Sequence, residues 1–177
     1  MRGRNGRMAA VLAAGGAIAA VAGCAPVQGS GSAAPSDVTH YQSAVSSSRA
    51  AEAAAAAKSA CASWRSGYEV RRVATRAMVD YTHTPDANWD GIVPTLNGNV
   101  AAVTTESGKL PAVIATAQPS PNVHTLLIDY KTKLDAYGSA LKADQAARGE
   151  GERSWVKAEP AERALLNAED ALEGACG

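Results

Sequence analysis

PNVHTLLIDYKTKLDAYGSALK, residues 121–142, decides the fold. Val123, Leu127, Tyr130, Leu134, Tyr137 and Leu141 recur at three- and four-residue steps, the spacing that gathers side chains on one face of an α-helix. The start is equally readable. Ser120 is placed to cap the first turn, and Pro121 supplies a helical φ at a position whose N–H would be unpaired anyway. Asp129 and Lys133, four apart, add support on the solvent side. Such a stripe needs other helices to cover it.

The neighbouring segments offer them. Upstream, Ile92 or Val93, Leu96, Val100, Val103, Ser107, Leu110, Ile114 and Ala117 repeat with the same period. Pro111 lies inside this run, and because the phase continues across it, the reading is a kink near Gly108 to Pro111 and not a break. Earlier still, Tyr41 to Tyr81 reads as one long helix, Ser/Ala-rich at first, with too few large apolar groups in that half to pack strongly. That half reads as a stalk. In its second half Cys61, Trp64, Tyr68, Thr75 and Val79 share one face, and Val70, Val73, Ala77 and Tyr81 another, which predicts contact with two neighbours. Arg71 and Arg72 read either as solvent-facing or as binders of an anionic head group, and the solvent-facing reading is preferred. Downstream, Gly149 and Gly151 mark a turn, and a shorter helix runs from Pro160 to Gly174 with Leu165, Ala168 and Leu172 inward. No alternating β-branched run bounded by hairpin turns is present. The fold class is therefore all-α, an up-down-up-down bundle of about four helices over residues 41–177.

Residues 1–23 read as a leader. Arg2, Arg4 and Arg7 precede an uncharged, Ala-rich segment from Met8 to Ala20, and Val21-Ala22-Gly23-Cys24 follows. The apolar segment is shorter than the ~20 residues that a spanning helix needs. This arrangement resembles the signal sequence and lipobox of bacterial lipoproteins, and the Ala/Arg/Gly-rich composition fits the actinobacterial type. The resemblance implies that Cys24 is acylated, becomes the mature N-terminus and holds the protein to the outer face of the cell membrane. Two or more acyl chains suffice for stable anchoring. Residues 24–40 then form the acylated N-terminus and a Gly/Ser/Pro tether, whose Ala25–Ser36 stretch would reach about 20 Å as a coil.

Cysteine usage follows from that address. Of three cysteines, Cys24 is taken by lipid, which leaves Cys61 and Cys176 as an even pair outside the cytoplasm, read as a disulfide. The alternative is two separate buried thiols. In an antiparallel four-helix bundle both positions fall at the same end. The mature chain of 154 residues suits one domain. Removing the three leader arginines leaves 14 basic against 17 acidic side chains, about −3, which argues against nucleic acid as a partner.

Motifs that carry chemistry are few. Asp86-Ala-Asn88-Trp-Asp90-Gly91 resembles the opening of an EF-hand calcium loop, in which alternate oxygen ligands wrap a hard cation; Asp86, Asn88 and Asp90 would be the side-chain ligands of a weak site over residues 86–97. The twelfth position is Asn97, without the bidentate carboxylate, and Pro94 stiffens the exit. The competing reading is a helix connection in which Asp86 or Asp90 caps the next helix and Pro94 falls in its first turn. His40, His83 and His124 show no metal-binding spacing. No nucleophile elbow or phosphate loop is present, no cofactor is implied, and the expectation is a protein that is not an enzyme. Trp64, Tyr68, Tyr130 and Tyr137 are candidates either for core or for the lining of an apolar ligand cavity. The functional expectation is a lipid-anchored, extracytoplasmic envelope lipoprotein with a binding or structural role, its partner another envelope protein or a cell-wall component. The alternatives are a carrier of an apolar or lipid-like ligand within the bundle, and the weak calcium site.

Overall fold

The computed structural model describes residues 33–148 and 155–177; the leader, Cys24 and the turn around Gly149 and Gly151 lie outside them. Four helices follow in order: α1 (Pro35–Thr82), α2 (Trp89–Ala117), α3 (Pro121–Ala147) and α4 (Ala158–Cys176). No strand occurs among the described residues. The chain is an α-helical bundle in which α1 packs chiefly on α2, α2 on α3 and α3 on α4, while α1 meets α3 and α4 lightly.

The α3 stripe read from the sequence is buried in full, with Leu127, Tyr130 and Leu134 at zero exposure. Ser120 is the N-cap residue of α3 by position and extended backbone, but its side chain makes no capping bond; Pro121 sits at the first turn as expected. On α2 the pattern holds at Ile92, Leu96, Val103, Leu110 and Ala117 and shifts by one residue at two positions. Asn99 and Glu106 are buried, whereas Val100 and Ser107 are only partly covered. The inward positions Ile92, Leu96, Asn99, Val103, Glu106 and Leu110 alternate strictly by four and three, and two of them are polar. α2 continues as helix through both Pro94 and Pro111. Its N-cap is Asn88, not Asp86 or Asp90: the Asn88 side chain accepts from the Gly91 N–H at 2.9 Å. Helix starting at Trp89 therefore puts Pro94 in the second turn.

α1 begins at Pro35, six residues before the expected start, because Pro35 supplies a first-turn φ and the Thr39 hydroxyl donates to its carbonyl. Val70 and Val73 are 65% and 68% exposed, so the second apolar face of α1 meets a neighbour only at its Tyr81 end. Arg71 is buried instead, at 4% exposure, while Arg72 is exposed and paired with Glu69. At 48 residues α1 is about 72 Å long, and it exceeds the 29-residue α2 by 19 residues. Its exposed first half projects beyond the bundle as a stalk, with Ala60 the first buried residue.

α4 runs from Ala158 to Cys176, longer at both ends than the sequence suggested, and Leu165, Ala168 and Leu172 are inward. Its first turn is capped from another helix. Asp144 of α3 accepts from the backbone N–H groups of Lys157 and Ala158 at 3.0 and 2.7 Å. Cys61 and Cys176 are joined as a disulfide with Cα atoms 5.6 Å apart, linking α1 to the end of α4.

Two stability measurements follow. Reducing the bridge removes a cross-link over a sequence separation of 115 residues, and chain-entropy reasoning gives a loss of up to about 4–5 kcal/mol; thermal melts with and without reductant should show a clear fall in Tm, matched by Cys61→Ser/Cys176→Ser. Asp144→Ala should cost about 1–2 kcal/mol in urea unfolding by leaving two N–H groups at the α4 start without their acceptor.

Candidate functional site

Among the described residues two places concentrate chemistry, one sealed and one open. The sealed one is centred on Arg71. Its Nε donates to Glu106 Oε2 of α2 at 2.8 Å, and its Nη2 donates to Glu169 Oε1 of α4 and to the Tyr130 hydroxyl of α3 at 3.4 Å. Tyr130 in turn donates to Glu106 Oε1. The guanidinium lies 5.4 Å from the centre of the Tyr68 ring. Every helix of the bundle contributes. Arg71, Glu106 and Glu169 are each 4% exposed, so one cation faces two carboxyl groups away from water.

That imbalance sets the protonation. Burial pushes Glu169 up to about 7, against the lowering effect of Arg71, and Glu106 is also raised chiefly by burial. Arg71 stays protonated: burial works against its charge, but Tyr130, Glu169 and Glu106 outweigh it. A second polar group lies along the core, where the Thr75 hydroxyl donates to Asn99 Oδ1 at 2.9 Å and Asn99 Nδ2 donates to the Tyr137 hydroxyl at 3.1 Å. Burial raises Tyr137 to about 12.

Trp64, Tyr130 and Tyr137 are thus core, at 0–1% exposure, and Tyr68 stacks on Trp64 at 5.3 Å from the rim. The Trp64 and Tyr130 rings meet edge to face at 5.8 Å. Trp64, Tyr68 and Tyr130 pack ring on ring, Tyr68 and Tyr130 meet Arg71, Tyr137 meets Asn99, and none of the four lines either hollow described below. Two of the three calcium-loop side chains, those of Asn88 and Asp90, are engaged elsewhere. Asn88 holds the α2 start and donates from Nδ2 to the Asp86 carbonyl at 2.8 Å, while Asp90 lies within α2 and pairs with Arg148. His40 lies in α1, His83 caps its end and His124 is in α3. Among the described residues no group of three or more His, Cys, Asp or Glu is gathered as a metal site.

The open place lies at the end of the bundle remote from the stalk, where α1 stops and α2 and α4 start. A cleft of about 520 Å³ is lined by Tyr81, Thr82, Ala87, Asn88, Trp89, Ile92, Trp155 and Glu159. Trp89 and Trp155 touch with ring centres 5.1 Å apart and planes tilted by 43°, forming a continuous aromatic wall. Tyr81, Trp89 and Trp155 are partly buried against the core, leaving ring surface open. Gly91 makes room for Tyr81: a Cβ there would fall 1.8 Å from the tyrosine oxygen. Trp155 and Glu159 are tied by the Glu159 N–H donating to the Trp155 carbonyl at 3.1 Å, and Asp144 fixes two of the three residues between them, Lys157 and Ala158. A smaller hollow of about 230 Å³ involves Trp89, Asp90, Val93, Gln145 and Arg148.

Sequence reasoning missed both places for different reasons. Arg71, Asn99, Glu106 and Glu169 occupy inward positions that polarity disguised, although the four-three alternation on α2 passes through Asn99 and Glu106. Trp89 and Trp155 meet across 66 positions of chain, and no local pattern announces that. The chain matches no protein-family model, no curated protein and no solved structure.

The Arg71 cluster makes stability depend on pH. A carboxyl raised in the folded state binds a proton that the unfolded chain has released, so its contribution is full below about pH 4.5 and is lost as pH rises through about 7. The wild-type Tm should accordingly fall between pH 5 and pH 8. Glu169→Gln, neutral throughout, should flatten that fall, and equal slopes in both proteins would remove Glu169 as its source.

Proposed function

We propose that this is a lipid-anchored, extracytoplasmic protein of a bacterial cell envelope that acts by binding and not by catalysis. The supporting observation is the long α1. One end of this helix lies eleven residues after Cys24, and its other end forms a wall of the aromatic cleft. A single helix thus runs from a point eleven residues past the proposed anchor to the aromatic cleft. The 19-residue excess of α1 over α2 adds about 28 Å of stand-off. Such an arrangement suits a small receptor that meets its ligand away from the lipid surface.

The binding reading draws on the contrast between the two sites. Arg71, Glu106 and Glu169 are the groups most able to move protons, but they are enclosed and bonded to one another, out of reach of any substrate. The cleft is open and has the size and aromatic lining of small-ligand sites. A carrier role would then use this cleft and not the bundle interior.

Anchoring is tested at the cysteine. Mature protein extracted from its own cell should begin at Cys24 and carry the mass of acyl chains, and Cys24→Ser should leave the membrane fraction. A native chain still beginning at Met1 without lipid would overturn the proposal.

A further inference from the structure

The cleft has a chemical preference that its lining makes readable. Two indoles and a phenol supply electron-rich ring faces, and among the described lining residues none is Lys, Arg or His. The charged group there is the Glu159 carboxylate. Its recorded partner is Arg163, one turn along α4 at 3.4 Å, with both side chains largely exposed. The helix ends do not set the sign of charge here, since α1 ends at the cleft while α2 and α4 start there; the preference rests on the rings and on Glu159.

The neutral polar groups are mostly engaged. Asn88 Oδ1 accepts from Gly91, and its Nδ2 donates to the Asp86 carbonyl. The Thr82 hydroxyl donates to the Val79 carbonyl at 2.6 Å. The Tyr81 hydroxyl is turned onto the α2 start, near the Asn88 N–H and against Gly91. A ligand rich in hydroxyls would find few free partners, and an anion would meet Glu159. A cation bearing apolar substituents matches both the rings and the carboxylate, since aromatic faces attract cations that are weakly hydrated.

We propose that the Trp89–Trp155–Tyr81 cleft binds a small organic cation of the substituted-ammonium class, with Glu159 as its counter-charge. This rests on the reading of the cleft as the binding site. The mature protein, its tether included, would be titrated with choline and, separately, with 3,3-dimethylbutanol, which has the same shape and no charge, while tryptophan fluorescence is followed. Choline should produce a saturable change, and the alcohol should bind roughly tenfold or more weakly, in keeping with a cation–aromatic and carboxylate contribution above 1 kcal/mol. Glu159→Gln, a near-isosteric change at an exposed position, should weaken choline several-fold and leave the alcohol unchanged. Trp155→Ala should abolish the binding of both. Equal binding of choline and the alcohol, untouched by Glu159→Gln, would overturn the cation assignment while keeping the cleft as a site. No saturable change with either probe would overturn the cleft itself.

Discussion

One guanidinium sets the arrangement of the bundle. Arg71 reaches Glu106 on α2, Glu169 on α4 and Tyr130 on α3, so the four helices meet at a single buried level. A buried charge cluster is a poor source of net stability, because taking the ions out of water costs about what their attraction returns. Its effect is on alignment. Removing one partner strands the others in a medium that does not solvate them, typically at about 3–5 kcal/mol, and sliding one helix does the same. The seam between α1 and α4 depends on this most, since those helices touch lightly and are held by the Arg71–Glu169 pair and the Cys61–Cys176 bridge.

The core repeats by sevens around that level. Seven residues on from Arg71 and Tyr130 lie Met78 and Tyr137, and seven back from Glu106 and Glu169 lie Asn99 and Glu162. Contacts confirm the level: Asn99 touches both Met78 and Tyr137, and Glu162 acts on Tyr137 electrostatically. Seven residues the other way give Trp64, Val113, Val123 and Cys176. A heptad slip of α1 toward that side would set Arg71 opposite Val113 and Val123. Slipped the opposite way, it would face Asn99 and Tyr137 with at most one carboxyl within reach. The apolar layers alone tolerate such slips, but the polar level does not.

This explains what the sequence made legible. Leu127, Leu134, Leu141, Leu165 and Leu172 were readable as core because burial of apolar surface is their one strong preference. Arg71, Glu106 and Glu169 were not, because each alone prefers solvent, and only their mutual pairing reverses that. The residues Val70 and Val73 show the converse: their helical spacing is that of a packed face, yet no helix comes to cover them. The helix boundaries slipped for a related reason. Asn88 and not an aspartate caps α2, and Asp144 caps α4 from another helix, a contact no local pattern encodes.

Separating a sealed polar level from an open aromatic end has a physical logic. Polar groups in the core are committed: among the described residues only the Trp64 indole N–H is buried without a partner. At the cleft end α1 stops, α2 and α4 start, and Trp89 and Trp155 touch while only partly buried. Asp144 ties the two regions together, because the residues it holds, Lys157 and Ala158, lie between Trp155 and Glu159. The shape of the cleft is therefore inherited from the alignment of α3 and α4, and that alignment goes back to the buried charges around Arg71.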